Sequence, residues 1–424
     1  MRVPLSWLRT FTPVALEVSD LAERLTMAGL EVEHVDSIGA FNPSVVVGAL
    51  RSRAPEGPLW KLSLDVGPAH APVTVLSGAP GLAEMAPGTH LAVALPGAVL
   101  VTPERATFSL FTVAPARIRG HMSEAVVCSG FELGVNHDHS GLYVLSASAA
   151  PGTPVRGLLT PDALWEADEV LEVAILPNFA RCLSIVGMAR EVAALTRTRG
   201  DFDVELASVV IASDTLDATI EARDACKRFT STHVKKLAIG PSPREVQRRL
   251  VLSGARPINN VVDLTNYVMF ELGQPMHAYD AKRLPSERLG VRRARTGEKL
   301  HTLVQTAESP ATELPEGVLL ITSNDQPVAV AGVVGGTETS VADTTTELVL
   351  ECASFEWPAV RRAQAALKVY TDASGRFSRG VDPTLTTVAT RRCLHLLRET
   401  SPAAEVTGTG DTVVELPEVR AIDL

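Results

Sequence analysis

The sequence predicts an α+β fold in two or three bodies, and three observations carry that expectation. At 424 residues the chain exceeds one ordinary domain. From about residue 44, short runs rich in Val, Leu and Ala alternate with Gly and Pro, the pattern of a small β-barrel. Stretches with helical apolar spacing flank those runs and return, mixed with strands, toward the C-terminus. The hydrophobic share of 46% and charged share of 21% provide for real cores, and an aromatic share of only 4% makes them Ala, Val and Leu cores.

Taken in order, "SDLAERLTMAGLEVEHV" offers Asp20 as a helix N-cap with Glu23 closing a capping box, Leu21, Leu25 and Ala28 on one face, and Gly29 as a stop. "VVVGAL", "WKLSLDVG", "VTVLSG", "HLAVALPGAVL" and "AVVCSGFELGV" then read as barrel strands. Helical spacing resumes in "CLSIVGMAREVAALT", where Ile185, Met188, Val192 and Leu195 share a face, so the barrel reads as an insertion in one split helical unit. "TRTRGDFDVELAS" is polar and reads as a linker. In "PSPREVQRRLVLSG", Ser242 is the expected N-cap, Pro243 the first helical residue, Glu245 the box partner and Gly254 the stop. "GVLLITSNDQPVAVAGVVGG" reads as a hairpin ending in a glycine-rich turn, "TTELVLECASF" as a buried strand, and "WPAVRRAQAALKVY" and "TLTTVATRRCLHLLRET" as helices.

Several functions are disfavoured on the same residues. A net charge of −10 argues against a broad phosphate-binding surface. The five cysteines fall in no close pair, which fits reduced thiols and a cytoplasmic setting. No apolar run is long enough for a membrane span, and "MRVPLSWLRTF" has no signal-peptide core. His137 and His139 lack a third ligand at zinc spacing, and no nucleophile elbow, zincin helix or phosphate loop is present. No metal and no cofactor is expected.

One polar constellation stands out. His277 follows a proline and an apolar run in "GQPMHAYD"; such a histidine is either a satisfied core residue or faces a pocket. Thr265 and Asn266 precede it on one element. Glu351 interrupts a run that otherwise reads as a buried strand, so its carboxylate is either ion-paired or aimed at a ligand. Gly332, Gly335 and Gly336 permit close backbone approach, or simply make a tight turn. Arg361, Arg362, Lys368, Arg376 and Arg379 against Asp372 form a local basic stretch, which is either a solvated face or a phosphate contact.

Long motifs then carry a resemblance. "RGHMSEAVVCSGFELGV", "PNFARCLSIVGMAREVAALT", "RPINNVVDLTNYVMFELGQPMHAYD", "AVAGVVGG" and "YTDASGRFSRGVDP" together resemble the bacterial phenylalanyl-tRNA synthetase β subunit, colinearly over almost the whole chain. The resemblance implies an N-terminal helical domain (1–40 and 151–200), an inserted OB-fold tRNA-binding-like barrel (41–150), and a mixed α/β B3/B4 editing-like domain (208–400). It further implies a tail (401–424) at the start of a B5 domain that the sequence does not contain. The family's editing positions carry over to His277, Arg256, Asn266 and Thr265 around the reacting ester. Glu351, Gly332, Pro275, Thr371 and Ala373 match those that hold the aminoacyl group.

What the resemblance implies about function is a freestanding aminoacyl-tRNA deacylase that hydrolyses Tyr-tRNA(Phe). Free tyrosine or phenylalanine are possible ligands, and neither phenylalanine ligation nor association with an α subunit is expected without the further domains. Two alternatives stay open: a non-catalytic paralogue binding tRNA, an amino acid or a protein, and a split piece of the synthetase. Local departures accompany the resemblance: "RAPEGPLWKL" in the barrel weakens the case for RNA contact there, and Gly375 and Ser378 in "DASGRFSRG" change the surroundings of a pocket set that is kept.

Overall fold

The structure is a computed structural model that describes residues 1–104, 107–135, 141–145, 149–159, 167–306 and 308–418. His137 and His139 lie outside the described residues. Contacts divide the chain into two compact units, one of 1–7, 16–174 and 251–254 and the other of 8–15, 175–250 and 255–424.

The first unit is mostly β. One five-stranded sheet runs in the order Val126–Val127, His90–Ala94, Val45–Glu56, Leu59–Asp65, Val73–Ser77. Its two ends approach each other where the Glu124 amide donates to the Thr74 carbonyl at 2.8 Å, leaving a nearly closed barrel. Val45, Val47, Ala92 and Ala94 fill one apolar cluster and Leu62, Leu64, Leu91 and Val93 another, the in-and-out alternation of period two. A second five-stranded sheet joins Arg2–Pro4, Asp168–Val173, Val32–Ile38, Val99–Glu104 and Thr107–Thr112. The helix Val18–Met27 buries Leu21 and Leu25 as expected, but it starts one turn early: Glu17 is the N-cap and makes no side-chain cap bond. Asp20 therefore sits in the first turn, where a carboxylate favours the helix dipole.

The second unit layers two sheets and a set of helices. Its four-stranded antiparallel sheet has the order Met276–Asp280, Leu348–Phe355, Cys226–Lys235, Glu405–Val413. Every residue of Leu348–Phe355 is buried, Glu351 included, as its largely apolar pattern predicts for a strand covered on both faces. The helices Asn260–Leu272 and Leu385–Thr400 pack on each other, and Thr230 Oγ1 lies 3.4 Å from Thr390 Oγ1 on the sheet face they cover. The other face carries Phe229, Tyr279, Val349, Ala353 and Phe355. It shares a single apolar cluster with Leu289, Val291, Leu320 and Val330 of a second, five-stranded sheet. In that second sheet Leu319–Ser323 and Gln326–Val330 form the predicted hairpin. Asn324 and Asp325 turn it at φ of 47° and 63°, values those two residue types tolerate. The last strand, Glu405–Val413, completes the four-stranded sheet within residues expected to be a tail, and Arg228 fixes it through a two-bond contact with Asp411 at 2.8 and 2.7 Å.

The expected cap at Ser242 is replaced by a tertiary bond. The helix runs Arg244–Leu252, and the Ser242 hydroxyl donates to Asp263 Oδ2 at 2.6 Å. A buried carboxylate needs that donor more than an exposed helix end does.

Candidate functional site

The position of His277 follows from the chain just before it. Asn259 caps the helix Asn260–Leu272 by accepting from the Val261 and Val262 amides, and Gly273 ends it at φ 87°. The fully buried Gln274 amide then bonds both its neighbour, the Pro275 carbonyl, and the Ala353 carbonyl of the central strand, each at 2.9 Å. That pair of hydrogen bonds anchors the start of Met276–Asp280, in which His277 pairs with Glu351, and Glu351 in turn pairs with Ser231 on its other side. Paired residues share a face of a sheet, so imidazole and carboxylate both point into the space between the two sheets.

Tyr279, two residues on, points the same way. Its phenol is fully buried and donates to Glu351 Oε2 at 2.6 Å. Its ring meets the His277 imidazole edge to face, with centroids 4.5 Å apart. Glu351 Oε1 has no protein donor among the described residues. His277 Nε2 is buried without a hydrogen-bond partner. On the opposite side the imidazole lies against Gly335, where a Cβ would come within 2.5 Å of Cε1 and 2.6 Å of Nε2. Leu303, which is about half exposed, borders the same spot.

Burial governs the charge of this group. It lowers His277 to about 4, so the imidazole is neutral at physiological pH. It raises Glu351 to about 7, against a smaller lowering by the Tyr279 hydroxyl. It also raises the Tyr279 phenol, helped by the Glu351 charge. The site therefore holds a neutral imidazole and a carboxyl that changes charge near neutrality. A weak base of this kind orients water or a hydroxyl better than it removes a proton.

The remaining predicted residues fall in three places. Thr371 caps the short helix Asp372–Phe377 through a capping box and donates its hydroxyl to the Val333 carbonyl at 2.9 Å. It thereby ties Ala373, partly buried on the same helix, to the Gly332–Gly335 turn. Gly332 has φ 69°, and a Cβ there would meet Phe377 and Phe355 at 3.0 and 3.1 Å, so the tight-turn reading holds for it. Pro275 is buried at the start of the His277 strand. Thr265 returns its hydroxyl to the Val262 carbonyl on its own helix, Asn266 is partly buried beside it, and Arg256 is exposed in the preceding loop. None of these three bonds to His277 or Glu351.

The basic stretch is largely consumed by main-chain carbonyls: Arg361 donates to Ser378, Arg376 to Leu183 and Asp372, and Arg379 to Gly375. Tyr279 escaped sequence reasoning, although its two-residue spacing from His277 on a strand places both on one face. For Gly335 it is the close-approach reading that holds, with the His277 imidazole as the group approached.

A second polar cluster joins His233, Glu287 and Glu347, with His233 Nδ1 3.0 Å from Glu287 and Nε2 3.6 Å from Glu347. Lys235 and Lys282 stand 3.6 and 3.7 Å from Glu347, so a cation there would compete with two ammonium groups for the same carboxylate. Cavities of about 330 and 480 Å³ open elsewhere in this unit, beside Leu394 and Val406 and beside Ile211 and Thr387. They are lined by none of the residues around His277.

Comparison with known proteins adds a family to this geometry. Residues 225–402 match the B3/4 domain. The whole chain is similar to curated phenylalanine–tRNA ligase beta subunits. That of Gloeobacter violaceus is 40% identical over 415 residues, covering 97% of this chain and 50% of the relative. That of Trichormus variabilis is 39% identical over 410 residues, covering 94% and 48%. That of Moorella thermoacetica is 37% identical over 435 residues, covering 100% and 51%. The chain thus spans about half the length of the curated relatives it matches. Among solved structures, an N-terminal fragment of the phenylalanyl-tRNA synthetase beta subunit from Pyrococcus horikoshii aligns with 47% of this chain and 61% of its own. Its TM-score is 0.27 and its identity 11%, too low to bear on the fold. No helix among the described residues is long and apolar enough to cross a membrane.

Proposed function

We propose, for a chain that belongs to the phenylalanine–tRNA ligase beta subunit family, that its B3/4 domain is an editing hydrolase acting on tyrosine esterified to phenylalanine tRNA. One observation carries the reading: a buried imidazole nitrogen without a partner lies cross-strand from a buried carboxyl with one oxygen still open. Buried polar groups left unsatisfied cost stability, and a ligand is what repays them.

In this reading the tyrosyl hydroxyl bonds to Glu351 Oε1. Phenylalanine leaves that oxygen unpaired, a mismatch that sites of this kind turn into discrimination of up to roughly 10⁴–10⁵. The neutral His277 orients the attacking water or the terminal ribose hydroxyl. Water adds its oxygen to the ester carbonyl, the bond to the ribose oxygen breaks, and that oxygen leaves with a proton as the free hydroxyl. The ester is already activated, so positioning supplies most of the effect and no cofactor is required. Thr371 and the Gly332–Gly335 turn hold the wall against which His277 rests, with Ala373 and Pro275 shaping the pocket. Arg256, Thr265 and Asn266 belong to the approach of the tRNA end. The barrel of the first unit is read as OB-fold-like and as a tRNA contact.

The test is release of amino acid from tyrosyl- and phenylalanyl-tRNA(Phe) by purified chain and by His277→Ala. Tyrosine release that exceeds phenylalanine release and falls in the variant supports the reading. Release no faster than without protein sinks it. A second reading, a binding module without hydrolysis, draws on the low basicity of His277 and on the Tyr279 hydroxyl already seated on Glu351. It predicts tyrosine or tRNA binding with no release.

A further inference from the structure

We infer that Tyr279 is a positioning residue for tyrosine recognition: its phenol holds one oxygen of Glu351 and thereby presents the other to the hydroxyl of a tyrosyl ligand. The inference rests on the editing reading and names the residue that sets its specificity.

The geometry is specific. A glutamate on a strand has free side-chain torsions, yet Glu351 is fixed by a 2.6 Å bond from a phenol that is itself fully buried. The same ring braces His277 edge-on, so one side chain orients both polar members of the site. An ionised carboxylate accepts at both oxygens, and with Oε2 engaged, Oε1 is the one that remains for a ligand.

The groups facing Glu351 leave it as the one that titrates near neutrality. His277 on the neighbouring strand is neutral at pH 7, Tyr279 is raised, and the thiols of Cys226 and of Cys352 beside it are raised by burial. Against a burial effect that favours the neutral acid, the phenol favours the ionised form that accepts from a ligand hydroxyl. Loss of that hydroxyl moves the Glu351 midpoint upward and leaves less of the accepting form at pH 7.

The test uses the full chain and the conservative Tyr279→Phe variant, with its fold checked by circular dichroism and urea midpoint. Binding of free L-tyrosine and L-phenylalanine is measured across neutral pH. The Glu351 carboxyl is followed by carbon NMR, with Glu351→Gln to assign the signal. The expected result is a roughly tenfold fall in the tyrosine-to-phenylalanine ratio at pH 7, the worth of one charge-assisted hydrogen bond. It should recover in part as the pH is raised, alongside an upward-shifted midpoint. A wild-type preference that survives Tyr279→Phe with its pH profile unmoved overturns the inference alone. A wild-type chain that prefers neither amino acid overturns the editing reading and the inference with it.

Discussion

The Cα of Gly335 lies against the edge of the His277 imidazole so closely that a Cβ there would come within 2.5 Å of Cε1. Gly335 is needed for that space rather than for its backbone angles, since its φ lies outside the left-handed region. Two strands from different sheets thus meet at the imidazole.

Gly335→Ala is expected to push His277 out of position while leaving the strand intact. Displacement of about 1 Å in a positioned group costs on the order of 100-fold in rate, and overpacking costs about 1–3 kcal/mol in stability. Urea denaturation and deacylation rates, taken together, check both numbers. An unchanged rate would detach the imidazole from the chemistry.

Glu351→Ala is expected to abolish preference for tyrosine over phenylalanine more than it lowers binding of phenylalanine. The ratio should fall by roughly 10- to 100-fold, the range for a hydrogen bond to a charged group. Equilibrium dialysis with the two free amino acids reads it directly.

His277 and Glu351 should tilt the pH dependence of stability in opposite directions. Glu351 is raised from an ordinary carboxyl value to about 7, so the folded chain holds more protons and stability falls as pH rises between about 4.5 and 7. His277 is lowered to about 4, so the unfolded chain holds more protons and stability rises with pH between about 4 and 6.5. The two slopes largely offset each other in the native chain. His277→Asn should therefore expose a decline toward neutral pH on the order of 3 kcal/mol, and Glu351→Gln a gain. Urea midpoints across that window, in the native chain and both variants, decide the matter.

Arg392 makes two bonds, at 2.7 and 2.9 Å, to Glu271, whose side chain is 1% exposed. Arg392→Ala strands that carboxylate between the helices Asn260–Leu272 and Leu385–Thr400. A loss of about 3–5 kcal/mol is expected. A shift in urea midpoint worth under 1 kcal/mol would contradict this role.

Much of this was legible in the sequence because it is written locally. The hairpin at Asn324–Asp325, the all-buried strand around Glu351 and the helices beginning at Ile185, Trp357 and Leu385 each follow from period and turn chemistry within a short window. His277 and Glu351 stood out as polar residues where apolar ones were expected. Their partnership did not, because it depends on strand pairing between His277 and Glu351, which lie far apart in the sequence. Ser242 fits an N-cap pattern, yet a buried carboxylate 21 residues away claims its hydroxyl. The strand Glu405–Val413 carries glycines at 408 and 410 and little apolar signal, so its place in the sheet is set by Arg228 and Asp411 rather than by its own pattern.

The most direct test of the central claim is a structure of the chain with tyrosine joined by a non-hydrolysable amide to a terminal adenosine. The phenolic hydroxyl is expected on Glu351 Oε1, with Tyr279 still on Oε2 and the amide carbonyl near His277 Nε2. A ligand seated in either of the cavities near Leu394 or Ile211, with the space between His277 and Glu351 empty, would contradict it.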